Sequence, residues 1–245
     1  MSFVVAINHS FRLNMWNTQR RLRRSNTVMN RVGITTGCVI VAHPDDETIW
    51  AGGAILMNPD CLWIIVSLCR RSDPDRAQKF IRAARVLGAA VAMGDLDDSP
   101  EQLSLREEVV EEEILSLLPV KHFDLILTHS PYGEYTRHRR HEETGRAVAA
   151  LWNRKAIDTK ELWMFAYEDT GKGGKEDLPH PIIGAHRITR LPRNIQEKKS
   201  RIVTEVYGFD AETYEAHIVQ RNEAFWCFAS YAGFEEWLHN DRRKP

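Results

Sequence analysis

Five short apolar runs recur along this 245-residue chain, and stretches with helical periodicity lie between them. The runs lie at 38–42, 62–68, 89–93, 124–129 and 162–168. Runs of this length, rich in branched and aromatic residues, are typical of parallel strands that are covered on both faces. Their alternation with helices predicts an α/β fold, a Rossmann-like open and mostly parallel sheet with helices on both faces.

Two of the intervening stretches carry helix boundaries. Residues 73–89 place apolar side chains at helical spacing and end near Gly88, a residue type that commonly caps the C-terminus of a helix. Residues 99–119 predict a longer helix that begins at an N-cap, Ser99, and stops at Pro119.

The later segments predict the outer parts of the fold. Residues 141–155 predict a further helix with its apolar positions on one side. The Gly- and Pro-rich segment 170–194 predicts a long loop or a β excursion, which either covers a site or only connects surface elements. Residues 195–239 predict helices whose many aromatic side chains belong to the core.

The N-terminus differs in composition from the rest of the chain. Residues 1–44 contain no Asp or Glu, and 12–31 carry six arginines. Transit peptides share this signature, but we favour an arm packed on the domain, or translation from an upstream start. We therefore expect a basic N-terminal arm at 1–34 and a single domain over 35–245, within which no internal repeat or low-complexity linker is found.

The bulk properties exclude several classes of function. A formal net charge of -1 and a pI near 6.8 give no global field that would attract nucleic acid or a membrane surface. No apolar run is long enough to span a bilayer. The four cysteines show no CxxC spacing, so we expect reduced thiols and a cytoplasmic location.

A cluster of acids follows the first apolar run directly. The sequence HPDDE at 43–47 places a histidine and three consecutive carboxylates beyond the carboxyl end of a predicted strand. Ligands bind at such ends in open parallel sheets. Clustered carboxylates at the end of a core strand are costly to desolvate unless a cation meets them. The cluster therefore indicates a metal site, or alternatively the acidic first turn of a helix.

A second cluster follows the fourth run. His138 and His141 are three residues apart, a spacing that puts both imidazoles on one helical face, although a solvated helix start often looks the same. Because both clusters follow strands that should be parallel, we expect them at the same end of the sheet. Two imidazoles and one carboxylate, with a fourth position for water, form the ligand set of a catalytic zinc site.

These two clusters also carry a family resemblance. The motif AHPDDE at 42–47, the pair Gly52 and Gly53, and the later HxxH after THSPYGEY resemble the LmbE-like, or PIG-L, family of zinc-dependent N-acetylglucosaminide deacetylases. The resemblance covers roughly residues 36–170. The C-terminal third shows no such likeness.

The resemblance assigns roles to residues of this chain. It implies that the zinc ligands are His43, Asp46 and His141. It also implies that Asp45 is the general base, and that His138 assists the tetrahedral intermediate or protonates the leaving amine. A bound zinc ion lowers the pKa of water and polarises an acetamide carbonyl, so the acids next to the cation fit this chemistry.

The family further implies contacts with the sugar substrate. The residues that match are Arg71 and Asp98, with Asp95 and Asp97 as competitors for the role of Asp98. His129 ends a predicted strand and is a further candidate for substrate binding. Tyr135 corresponds to the family's tyrosine that helps with the oxyanion, but it precedes His138 by three residues where the family has two. For Asp98 and His129 a loop acid and a hydrogen-bonded core histidine remain alternatives. Arg140 stands where the family has an aspartate, and the missing carboxylate predicts a lowered pKa for His138. Arg140 and its neighbouring arginines either hold an anionic part of the substrate or form a solvated basic turn.

The motifs together predict a zinc hydrolase that removes acetyl from an N-acetylglucosamine-type amino sugar. One alternative is a same-family amidase for a bulkier amide. The other is a non-catalytic Rossmann-like module that binds a sugar or nucleotide, which the lack of GxGxxG after the first strand disfavours. We expect Zn²⁺, or another divalent transition metal, and a small-molecule N-acetylated amino sugar or glycoconjugate. We expect no nucleic-acid partner and no membrane span, and a homo-oligomer stays open.

Overall fold

The computed structural model describes residues 35–134, 138–169, 178–210 and 212–240, and the predicted basic arm at 1–34 lies outside them. The strands are β1 (Thr36–Val41), β2 (Leu62–Cys69), β3 (Ala90–Leu96), β4 (His122–Thr128), β5 (Asp158–Phe165), β6 (Tyr167–Glu168), β7 (His180–Pro181), β8 (Arg187–Arg190) and β9 (Asn222–Phe228). Seven of them form one sheet in the order β3-β2-β1-β4-β5-β9-β8, and β6 pairs with β7.

The first five strands are parallel, as predicted from their apolar runs. β9 and β8 extend the sheet in antiparallel pairing. The chain places β2 and β3 on one side of β1 and then returns to place β4 on the other side. This reversal of strand order makes the space between the carboxyl ends of β1 and β4 the expected ligand position.

Helices cover both faces of the sheet, which confirms the predicted fold class. They are α1 (Asp46–Leu56), α2 (Pro74–Leu87), α3 (Glu107–Leu117), α4 (Arg139–Asn153), α5 (Arg193–Arg201), a π-helical turn (Ile202–Val206), α6 (Tyr214–His217) and α7 (Tyr231–Asn240). One face carries α1, α2, α5 and the π-helical turn, and the other carries α3, α4 and α7. No helix of the described residues has the length and apolarity needed to cross a bilayer.

The boundaries of α2 follow from its capping residues. The Asp73 carboxylate accepts the amide protons of Asp75 and Arg76 at 3.0 Å each, and Gly88 ends the helix in the left-handed region at φ 78°. The predicted start of α3 at Ser99 is wrong, because this helix begins only at Glu107.

The C-terminal segment departs most from the sequence interpretation. Residues 222–228, predicted to be helical, form β9 and pair with β5, although their aromatic side chains do lie in the core. Glu223 of β9 is fully buried and accepts the amide protons of Gly53 and Ala54 at 2.7 and 2.8 Å. Lys199 of α5 forms an ion pair with the same carboxylate at 2.6 Å, so Glu223 anchors both α1 and α5 to β9.

The segment 170–194 contains two short strands, β7 and β8, which favours the β excursion over a plain loop. Its residues 170–177 lie outside the described residues. All four cysteines are free thiols, and three of them are buried.

Candidate active site

A cavity of about 430 Å³ opens beyond the carboxyl ends of β1 and β4. Its wall combines residues of the loop after β1, the start of α4, the loop after β3 and the segment around α6. The charged lining residues are Asp45, Asp46, Asp98, Glu215, Arg70 and Arg76. With neutral histidines, four carboxylates against two guanidinium groups leave a charge of −2, which one divalent cation balances.

Three donor atoms converge at the base of this cavity. His43 Nδ1 lies 3.2 Å from Asp46 Oδ2 and 3.1 Å from His141 Nε2, and the third separation, from His141 Nε2 to Asp46 Oδ2, is 3.4 Å. Ligand atoms of a tetrahedral zinc ion with bonds of about 2.0–2.1 Å are roughly 3.3 Å apart. The triangle therefore fits a metal of this size, and we call His43, Asp46 and His141 the donor triangle.

Asp46 is held so that one carboxylate oxygen faces the triangle. Its Oδ2 accepts the amide proton of His43 at 2.9 Å, and its Oδ1 accepts the Trp50 indole proton at 3.2 Å. Burial alone would raise the pKa of Asp46, but the facing imidazoles of His141 and His129 hold it well below its usual range. Asp46 is therefore an ionised oxygen donor.

A second carboxylate orients His43. Asp98 lies 3.1 Å from His43 Nε2, the nitrogen that points away from the triangle. The other Asp98 oxygen binds Arg70, and Gln102 donates to the same oxygen that meets His43. Asp98 thus contacts three protein groups, and one of them is the donor histidine that it orients. Asp98 also lines the cavity, and its contact with the sugar stays a prediction.

Glu134 plays the same part for His141. Its Oε2 lies 2.6 Å from His141 Nδ1, and its Oε1 lies 2.9 Å from Nδ1 of His129. Burial opposes ionisation, but these two imidazoles lower the pKa of Glu134 to about 2. A carboxylate on Nδ1 fixes the proton there and leaves the Nε2 lone pair of His141 directed at the triangle.

His129, a predicted sugar contact, is fully buried beneath the site. Its Nε2 lies 3.0 Å from the Ala42 amide nitrogen and 3.4 Å from Asp46 Oδ2, so protein groups contact both of its ring nitrogens. The donor atoms of His129, Asp46 and His141 lie close enough together for a metal as well. The ring stacks on His141 with centroids 4.0 Å apart. These contacts describe a hydrogen-bonded core histidine, the alternative given for His129, better than a residue that contacts substrate.

Asp45 lines the same cavity from an unusual backbone conformation. Its φ is 116°, its amide donates to Glu47 at 2.9 Å, and its Oδ2 accepts from Arg76 at 3.1 Å. Burial, followed by the adjacent charge of Asp46, raises the pKa of Asp45 well above its usual range, although Arg76 opposes this. A carboxylate of raised basicity next to a donor triangle can accept a proton.

His138 lies beside the triangle, with its ring 4.7 Å from that of His43 and 4.5 Å from that of His141. Burial, and then the neighbouring His141 and His43, lowers the pKa of His138 to about 4. The direction agrees with the sequence expectation, but burial is its first cause. Nδ1 of His138 is buried without a hydrogen-bond partner among the described residues. The donor atoms of His43, His138 and His141 also lie close enough together for a metal.

Arg140, which stands where the family has an aspartate, points away from the cavity. The side chain is 2% exposed, and its guanidinium donates to the Leu103 carbonyl at 2.8 Å and pairs with Glu143. Glu143 in turn accepts the Leu105 amide at 3.1 Å. These contacts hold the loop between β3 and α3, which carries Asp98, so Arg140 is not placed to bind an anionic substrate.

The remaining two predicted substrate contacts are Arg71 and Tyr135. Arg71 is exposed and does not line the cavity, whereas Arg70 does. Tyr135 lies outside the described residues.

The sequence did not indicate two residues that contact the site, Glu134 and Arg76. The only signal for Glu134 was its position in the loop between the two histidine-bearing segments.

Comparison with known proteins identifies relatives of the region that forms the site. Residues 38–152 match the family described as PIG-L: GlcNAc-PI de-N-acetylase, and this stretch contains the whole donor triangle. An uncharacterised protein of Acanthamoeba polyphaga mimivirus is 24% identical over 146 residues, or 53% of this chain and 61% of that protein. The chain thus spans about three fifths of the length of this curated relative.

Solved structures share the fold at low identity. N,N'-diacetylchitobiose deacetylase from Pyrococcus horikoshii gives a TM-score of 0.60 at 15% identity, covering 90% of this chain and 98% of that one. A zinc-inhibited form of teicoplanin deacetylase gives 0.54 at 14%, covering 80% and 99%. The 4-carboxy-2-hydroxymuconate hydratase from Pseudomonas putida gives 0.53 at 13%, covering 79% and 95%. Since one of these is a hydratase, the fold alone leaves the reaction open.

Proposed function

Residues 38–152 match the PIG-L family, and from this premise we propose that the chain is a metal-dependent N-deacetylase. Its substrate would be an N-acetylglucosamine-type amino sugar, alone or within a glycoconjugate. The observation that carries the proposal is the donor triangle with the Asp45 carboxylate in the same cavity. Amide hydrolysis needs this combination of a Lewis-acid site and a nearby base.

The metal ligands in this proposal are His43, Asp46 and His141. We propose zinc because two imidazoles and one carboxylate at these separations suit it, and other divalent transition metals suit the same donors. When bound, such an ion lowers the pKa of water toward neutrality and polarises an amide carbonyl.

Asp45 is the general base in this proposal. Its Oδ2 is occupied by Arg76 at 3.1 Å, so Oδ1 is the oxygen left to take a proton from the water that attacks the acetamide carbon. The bond between this carbon and the sugar nitrogen then breaks, which gives acetate and an amine. In this proposal neutral His138, whose pKa is lowered to about 4, hydrogen-bonds the tetrahedral intermediate from the cavity wall. Asp45, which has taken the proton of the attacking water, returns it to the leaving amine.

The cavity suits a small, uncharged substrate. A volume of about 430 Å³ lies within the range of small-molecule sites. Once a dication balances the −2 charge of the lining residues, no excess positive charge is left for an anionic group. Four free thiols fit a reducing compartment such as the cytoplasm.

Acid release tests the proposal against its alternatives. Zinc-reloaded protein is given N-acetylglucosamine, N,N'-diacetylchitobiose and the same sugars with longer N-acyl groups, and the released acid and amine are both measured. Release of acetate supports the deacetylase, and preferential release of a longer acid supports an amidase for bulkier amides. Sugar binding by calorimetry without any turnover would instead support a binding module.

Exchanging Glu134 for glutamine is expected to weaken metal binding by about 10–100-fold. The amide cannot accept protons from both His141 and His129, so His141 loses the contact that directs its Nε2 at the triangle. Competition with a chromophoric zinc chelator measures the affinity. Glu142→Gln is the matched control, because this buried α4 carboxylate pairs with Arg146 at 3.3 Å. An unchanged affinity in Glu134→Gln would contradict the assignment.

A further inference from the structure

The backbone of Asp45 is held in a conformation that side-chain-bearing residues avoid. Its φ of 116° lies in the region that normally favours glycine. Such a conformation persists only where the surrounding structure imposes it, and such residues cluster at functional sites. The contacts that impose it on Asp45 therefore bear on how the carboxylate is aimed.

One series of contacts reaches the backbone of Asp45. The buried carboxylate of Glu47 accepts the Asp45 amide proton at 2.9 Å through Oε2. Its other oxygen, Oε1, accepts the hydroxyl proton of Tyr207 at 2.8 Å. Thr48 Oγ1 donates to the same oxygen at 2.5 Å, and the Tyr207 side chain is itself buried, at 2% exposure, so the two hydroxyls together fix the carboxylate plane of Glu47.

A second series of contacts reaches the side chain of Asp45. Nη1 of Arg76 donates to Asp45 Oδ2 at 3.1 Å. The guanidinium carbon of Arg76 lies 4.9 Å from the centre of the Phe209 ring, a cation–π arrangement that orients the guanidinium plane. Phe209 thus acts on the carboxylate of Asp45 through Arg76.

Both series begin in one short segment of the chain. Tyr207 and Phe209 flank Gly208, which has a φ of 77°, directly after the π-helical turn Ile202–Val206. The Tyr207 and Phe209 amides donate back into that turn, to Ile202 at 3.0 Å and Val203 at 3.3 Å. π-helical turns recur at functional sites, and this one sets the two aromatic side chains side by side, with ring centres 6.3 Å apart.

We propose that Tyr207 and Phe209 are positioning residues that aim the Asp45 carboxylate at the reacting water, through Glu47 and Arg76 respectively. They lie outside the family-matched residues 38–152. The C-terminal part of this chain therefore completes a site whose reacting groups come from the N-terminal part. The inference rests on the proposed role of Asp45 as the base, but the contacts themselves can be tested without turnover.

The first test is kinetic. Tyr207→Phe removes the hydroxyl and keeps the ring, and Tyr167→Phe is the matched control, since Tyr167 is equally buried and donates to the Asn222 carbonyl at 3.2 Å. We expect Tyr207→Phe to lower kcat for acetate release at least about tenfold, as misaimed catalytic groups do. KM and zinc per chain should be unchanged, and Tyr167→Phe should keep kcat. Equal kcat in both variants would overturn the proposal.

The second test is structural and does not depend on an active enzyme. A crystal structure of Tyr207→Phe should show Asp45 away from φ near 116°, or its carboxylate released from Arg76, with the donor triangle intact. An unmoved Asp45 would overturn the proposal even if the proposed activity is established. If the wild type hydrolyses no amide, the proposed function fails, and this structure alone decides whether the segment positions Asp45.

Discussion

Replacing His141 with alanine is expected to abolish metal binding and amide hydrolysis together. His141 supplies one corner of the donor triangle, 3.1 Å from His43 Nδ1 and 3.4 Å from Asp46 Oδ2. Without it, a dication would keep two of three protein donors. Loss of the several kcal/mol that a Lewis acid gives the transition state corresponds to a fall in kcat/KM on the order of a thousandfold or more.

The measurement is elemental analysis after zinc reload and desalting, with activity assayed on the same samples. Wild type should retain about one zinc per chain, and His141→Ala should retain none. His122→Ala is the control, because this exposed imidazole lies at the start of β4, remote from the cavity, and pairs with Asp158 at 3.0 Å. Retention of one zinc by His141→Ala would show that the metal uses other donors, and the triangle would no longer carry the proposed function.

The family and the fold class were both predicted from the sequence, and both predictions are confirmed. The five parallel strands were readable because each contains a short apolar run, which is mostly buried in β1, β2, β4 and β5 and partly buried in the edge strand β3. The strand order placed HPDDE and HxxH at one sheet edge, and the structure does bring His43, Asp46 and His141 together. The two motifs were informative because each follows a parallel strand, and ligands bind beyond the carboxyl ends of such strands.

Residues whose roles depend on long-range contacts could not be predicted in this way. The sequence of β9 predicts a helix wrongly, because an aromatic run carries no local period that separates a strand from a helix, and only pairing with β5 decides between them. Glu134 has no distinctive neighbours in the sequence, and its role arises because the loop after β4 folds back onto two histidines. Arg76 likewise meets Asp45 only through the packing of α2 beside α1.

One expected contact lies a single position away, just beyond the end of β2. Arg70 lines the cavity, whereas Arg71, the expected sugar contact, does not. Arg70 also has a φ of 70°, a turn conformation that the pattern of residue types did not reveal. The sequence thus indicates which loop supplies a residue more securely than which side chain of that loop points inward.

Replacing Asp45 with asparagine is expected to lower kcat by about 10²–10⁴-fold while leaving zinc bound. The amide has nearly the same shape and can still accept a hydrogen bond from Arg76, but it cannot take up a proton. Asp45 is not a corner of the donor triangle, so metal content should stay at about one zinc per chain. Asp75→Asn is the control, since this exposed carboxylate on α2 pairs with Lys79 at 2.6 Å.

The pair of readouts, kcat and zinc content, separates the roles that Asp45 can have. Loss of both would make Asp45 a metal ligand or a structural support of the loop after β1. Retention of both would exclude it as the base and leave His138 as the remaining group in the cavity beside the triangle with a free ring nitrogen. A large loss of kcat with bound zinc is the outcome that the geometry requires, because the donor triangle and the strained Asp45 are held by separate contacts.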